Sequence, residues 1–97
     1  MFDQNLAPAS DAVSGIFLVP PPPLLRAARA ILGLTQIQLG EKSGVAHTTV
    51  RRLEQSVADV KPETAYKLVL AFSELGIEFA RPAAGVGWRL SLRTDKR

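Results

Sequence analysis

With 97 residues, 46% of them apolar and only 6% aromatic, the chain has the length of one domain with tails. Its Leu, Ile, Val and Ala suit the spaces between packed helices. It has no cysteine and a single histidine, His47, which excludes disulfides, thiolate metal sites and imidazole clusters; no metal or other cofactor is expected. The net charge of +3 is unevenly spread: residues 1–25 hold Asp3 and Asp11 and no cation, while all 12 basic residues follow from Arg26 onward, so the folded part suits a polyanionic partner.

In chain order, residues 1–22 read as a mobile or extended tail. Residues 1–15 mix Pro, Ala, Ser, Asp and Gly without periodicity, and Ile16-Phe17-Leu18-Val19 is extended before a proline run that favours polyproline II geometry. Its apolar residues suit an arm packed on the domain or on a second subunit; with no cation it is poorly suited to tracking phosphates. The apolar run is far shorter than the roughly 20 residues a bilayer requires, and no Lys or Arg precedes Arg26 to form a secretory n-region. A soluble cytoplasmic protein is therefore expected.

Residues 23–76 read as the helical domain. The spacing predicts a first helix over about Leu24 to Leu32, with Leu24, Ala27, Ala28, Ile31 and Leu32 on one stripe and Gly33 ending it. Thr35 and Gln38 form a Thr-x-x-Gln capping box for a second helix from Gln36 to Lys42 or Ser43, burying Ile37 and Leu39 and stopped by Gly44. A third helix, from Ala46 or His47 to about Gln55, turns Val50 and Leu53 inward. Pro62 opens a fourth, which runs to Leu75, buries Ala65, Leu68, Val69 and Phe72, and ends at Gly76. Residues 77–93 then change to a period of two. Ile77 and Phe79, then Val86, Trp88, Leu90 and Leu92, give an antiparallel hairpin with one apolar face. Residues 94–97 are expected to fray.

The second and third helices carry the function. Two helices crossing steeply over a tight turn need small residues at the crossing, which Gly40 and Gly44 supply. With Val45, Val50 and Leu53 anchoring the third helix, its free face carries His47, Thr48, Arg51, Arg52 and Gln55. Such hydrogen-bonding and cationic groups have little use in a core and much against base edges and phosphates. Arg52 suits a bidentate contact to guanine, Arg51 a phosphate clamp, and Thr49 the turn or a phosphate.

Leu34-Thr35-Gln36, Leu39, Gly44-Val45, Val50 and Arg51-Arg52-Leu53-Glu54 together resemble the Xre/Cro family, with the resemblance running from about Leu24 to Leu75. It implies a mainly α, four-to-five-helix lambda-repressor-like domain whose third helix enters the major groove of double-stranded DNA. It also implies base contacts from His47, Thr48 and Arg52, a phosphate contact from Gln36 that braces the reading side chains, and an ion pair between Arg29 and Glu54. Two residues depart from the family pattern: Ala46 stands where a Ser cap is common, and Gly40 where alanine is usual.

One recognition helix reads too few base pairs for a genomic site, so a homodimer on a palindromic operator is expected. The hairpin residues Ile77, Phe79, Trp88, Leu90 and Leu92 are the candidate interface, by strand pairing across a two-fold axis. The alternative is that the hairpin folds back on its own helices. The reading is a transcription regulator, a repressor since no activation or ligand domain is visible, and no enzyme, since no nucleophile–base pair or phosphate loop stands in the sequence. A second reading is an antitoxin-like module that neutralises a toxin-like partner protein and autoregulates.

Overall fold

The computed structural model describes residues 19–56, 60–83 and 85–94. The expectations for Ile16, Phe17, Leu18 and the tail before them, and for fraying at 95–97, lie outside those residues. Four helices precede one hairpin: α1 (Pro22–Leu32), α2 (Gln36–Ser43), α3 (His47–Leu53), α4 (Pro62–Glu74), β1 (Ile77–Ala80) and β2 (Arg89–Leu92). This is the mainly helical fold with a C-terminal antiparallel hairpin that the sequence predicts. A single apolar cluster joins Val19, Leu25, Ala28, Leu39, Val45, Val50, Leu53, Val60, Leu68, Phe72 and Ile77, so every helix and β1 contribute to one core.

The end of the extended segment packs on the domain, one of the two placements expected for its apolar residues. Val19 is only 2% exposed and Pro20 is also buried, so the extended approach to α1 already belongs to the core. Pro22 is the first helical residue, where its missing N–H removes no hydrogen bond.

α1 is rotated by about one residue from the predicted stripe. Leu25 and Ala28 are buried and Leu32 packs on the core, whereas Ala27 and Ile31 face solvent and Leu24 is half-buried. Two apolar phases overlap in this helix, and polar contacts choose between them. Arg26 and Arg29 both reach the end of α3, and only the observed rotation brings them there together with Leu25 and Ala28 in the core.

α2 opens on the predicted capping box. The Thr35 hydroxyl accepts from the Gln38 N–H at 3.0 Å, and the Gln38 side-chain oxygen accepts from the Thr35 N–H at 2.9 Å. Its inner face is Gln36, Leu39, Gly40 and Ser43, a clean helical stripe. Ile37, expected in the core, lies one step off that stripe and is 55% exposed. α3 stops at Leu53, with Glu54 as its cap, short of the predicted Gln55. α4 buries Ala65, Leu68, Ala71 and Phe72, while Val69, expected inside, is half-buried.

The hairpin settles on its own helices. β1 and β2 pair antiparallel with Ile77 opposite Leu92 and Phe79 opposite Leu90. Ile77 is fully buried, and Phe79 sets its ring edge-on to Phe72 with centroids 5.4 Å apart. Polar contacts fasten the far end: Arg93 donates to the Glu78 carboxylate at 2.8 Å and to the Ser73 carbonyl at 3.0 Å, at the C-terminal end of α4. Its backbone N–H donates to the Gly76 carbonyl at 2.7 Å. Within the chain, Ile77 belongs to the core and Phe79 and Leu90, half-buried, pack against it, as in the expected alternative of a hairpin folded back on its own helices. A strand pair this short gains more from covering a neighbouring helix face than from standing free. Trp88 is half-buried just before β2, and Val86, predicted inward, and Leu92 remain largely exposed. Among the described residues, no helix is long and apolar enough to cross a membrane.

Candidate nucleic-acid interface

The elbow between α2 and α3 is pinned by backbone bonds. The Gly40 carbonyl accepts from the Gly44 N–H at 2.9 Å and the Val45 N–H at 3.2 Å. The Ser43 hydroxyl accepts a further bond from the Val45 N–H at 3.2 Å. Gly44 turns the chain with φ of 77°, a left-handed conformation that closes the C-terminus of α2. Val45 then drops its side chain into the core. The direction of α3 is thereby set before its first residue.

α3 is held from one side only. Val50 and Leu53 are buried, and Glu54 is 3% exposed. On the opposite side His47, Thr48, Arg51 and Arg52 are all exposed, with Thr49 half-buried between the two faces. Gln55 is exposed but lies in the turn after the helix, so it stands beside the face that the sequence reading assigns it to. Residues 47, 48, 51 and 52 share one side of a helical projection. The result is a polar, cationic strip on a buried apolar keel. Ala46 offers no side-chain cap to the helix.

Glu54 ties three helices together. Arg29 of α1 meets its carboxylate with two N–H groups, at 2.6 and 2.9 Å. Gln36 of α2 donates its side-chain amide to the same carboxylate at 3.0 Å, and Arg26 donates to the Glu54 backbone carbonyl at 2.6 Å. Burial by itself would raise the Glu54 carboxyl. The hydrogen bonds from Arg29 and Gln36, with the charges of Arg29 and Arg26, outweigh that and hold it below its ordinary value. The hydrogen bond to Glu54 raises the Arg29 guanidinium in turn, although burial opposes it. Arg29 also donates to the Leu34 carbonyl at 3.0 Å, just before the Thr35 cap.

Gln36, expected from the sequence as a phosphate contact, donates its side-chain amide to Glu54. It is half-buried against Glu54, because the carboxylate needs donors once it leaves water. Sequence reasoning also passed over Lys61. It lines a cleft of about 220 Å³ together with Thr49, Arg52, Val60 and Thr64, so a second cation stands beside Arg52 at the entrance to α4. The signal available was a lysine placed directly before the Pro62 helix start. Among the described residues, no group of three His, Asp or Glu side chains comes together to hold a metal.

A family model described as Helix-turn-helix matches residues 25–75, from the first turns of α1 to the residue that caps α4. No curated protein matches the chain. The matched span covers the elbow, the exposed strip of α3 and the Arg29–Glu54 tie that braces it. The chain belongs to the Xre/lambda-repressor-like helix-turn-helix family, whose members are DNA-binding transcription regulators.

Proposed function

We propose that the protein is a transcriptional repressor that reads a palindromic operator as a homodimer, seating α3 in the major groove of each half-site. The observation that carries this reading is the one-sided anchoring of α3: Val50, Leu53 and Glu54 face the protein, and His47, Thr48, Arg51 and Arg52 face out. In this arrangement His47 and Thr48 at the leading end, and Arg52 one turn on, contact base edges. Arg51, Thr49 and Gln55 contact phosphates, joined by Lys61 across the cleft from Arg52. Gln36, with its side chain tied to Glu54, serves a phosphate through its place in the first turn of α2 and braces the end of α3.

The dimer in this reading uses surfaces that the monomer leaves uncovered. Trp88 and Leu92 of the original hairpin candidates remain partly accessible, and Tyr66 and Leu70 add apolar area on α4. Self-pairing of β2 about a two-fold axis at Ser91 is disfavoured, because it brings Arg89 and Arg93 of the two copies face to face.

The test is selection of bound sequences from a randomised duplex library, followed by affinity measurements on the selected site and on random DNA. A two-fold symmetric site and a steep inverse salt dependence are expected. Arg52→Ala should weaken the selected site about tenfold and random DNA much less. Equal losses on both would remove Arg52 from base reading. Failure to bind any duplex at low ionic strength would overturn the function itself.

A further inference from the structure

Gly40 stands where the family usually places alanine, and the structure supplies a reason that the alternative residue does not satisfy. A Cβ built on Gly40 would lie 2.7 Å from the Val45 carbonyl oxygen, 3.2 Å from the His47 nitrogen and 3.3 Å from the His47 Cα. All three are backbone atoms. An ordinary contact begins at about 3.4 Å, so even a methyl group requires the backbone of residues 45–47 to retreat by several tenths of an ångström.

That backbone has little freedom to retreat by itself. The Val45 N–H is held by both the Gly40 carbonyl and the Ser43 hydroxyl, and the Val45 side chain is buried in the core. A displacement at Val45 therefore passes into the segment that starts α3, which begins at His47 two residues later. Packed interiors transmit such shifts because they hold no spare volume to absorb them.

We propose that Gly40 is a positioning residue for DNA specificity: its missing side chain lets α3 seat closer to α2 than alanine permits, and this sets where His47 and Thr48 meet the base edges. The inference rests on the reading of α3 as the helix that enters the major groove. Gly40 touches no DNA in this account. It acts through the backbone of Val45, Ala46 and His47, and the base pairs most affected are those facing the leading end of α3. Base-edge hydrogen bonds tolerate little displacement, whereas contacts from long cationic side chains to phosphates adapt.

The experiment compares Gly40→Ala with wild type and with Gly33→Ala. Gly33 has a left-handed φ of 70° and nothing within 4 Å of a built Cβ. Its substitution strains the chain at the end of α1 without pushing on α3. Each protein is put through selection on a randomised duplex, and its affinity for the wild-type site and for random DNA is measured. Gly40→Ala is expected to lose about tenfold on the wild-type site relative to random DNA and to select a site altered at the positions facing His47 and Thr48. Gly33→Ala is expected to keep the wild-type preference at reduced thermal stability. If Gly40→Ala does not fold in plain buffer, all three proteins are compared in trimethylamine N-oxide, which strengthens burial. An unchanged selected site and an unchanged ratio for Gly40→Ala would overturn the proposal. So would an equal change in Gly33→Ala, which would reduce the effect to lost stability. Absence of duplex binding by the wild type would instead remove the functional reading on which the proposal rests.

Discussion

Replacing Glu54 with glutamine removes one charge and almost no volume, so it isolates what the carboxylate does. In the wild type, Arg29 spends two N–H groups on that carboxylate and Gln36 a third. After the change, glutamine offers one oxygen acceptor, and its amide group faces donors that it cannot satisfy. Breaking a buried pair while leaving the other charge in place costs about 3–5 kcal/mol. The lower end applies here, because the Arg29 side chain keeps 22% of its surface exposed and can recover some hydration. A loss of about 3 kcal/mol lowers the melting temperature of a domain this size by roughly 15 °C. Thermal and urea denaturation followed by circular dichroism would measure it.

The pH dependence adds a second check. The Glu54 carboxyl is held below its ordinary value in the fold. Its stabilisation is therefore complete above the unfolded-state value of about 4.3, and it fades as pH falls below that and through the folded-state value. The stability gap between wild type and Glu54→Gln should be constant from neutral pH to about pH 5 and close progressively in more acid solution. A variant as stable as wild type at pH 7, or a gap that does not narrow in acid, would refute the account of Glu54 as the tie between α1, α2 and α3.

Three further outcomes follow from the packing. Val19→Ala should cost about 2 kcal/mol in thermal unfolding, because Val19 is almost wholly buried before α1 begins; an unchanged melting temperature would return residue 19 to the tail. Phe79→Ala should cost about 2 kcal/mol through loss of the Phe72 contact. Leu92→Ala, at a position 44% exposed, should cost less than about 1 kcal/mol. The Phe79 loss should be the same at every protein concentration. A loss that appears only at concentrations where the protein self-associates would reassign Phe79 to an interface between copies.

Much of the molecule was legible because its signals are local. The Thr35–Gln38 box, Pro62 at a helix start, Gly33 and Gly44 after helix ends, and the alternation around Phe79 and Leu90 each depend on a few neighbouring residues. The outward strip of His47, Thr48, Arg51 and Arg52 was legible for the same reason, since Val50 and Leu53 leave only one side for them. The pairing of Arg29 with Glu54 joins residues 25 apart in the chain and came only through resemblance to a family.

What the tertiary structure alone decided are the choices between locally equivalent options. α1 carries two overlapping apolar phases, and the observed one is the one in which the donors on Arg26 and Arg29 meet Glu54. Ile37 looks like a core residue by composition. It was displaced because Gln36, Leu39, Gly40 and Ser43 meet the demands of the Glu54 tie and the α3 crossing. Within the chain, the apolar hairpin face meets Phe72 and the core around Ile77. Propensity, capping and periodicity act within about one turn of chain. Helix rotation, close approach and the partner of an apolar face depend on groups that meet only when the chain is folded.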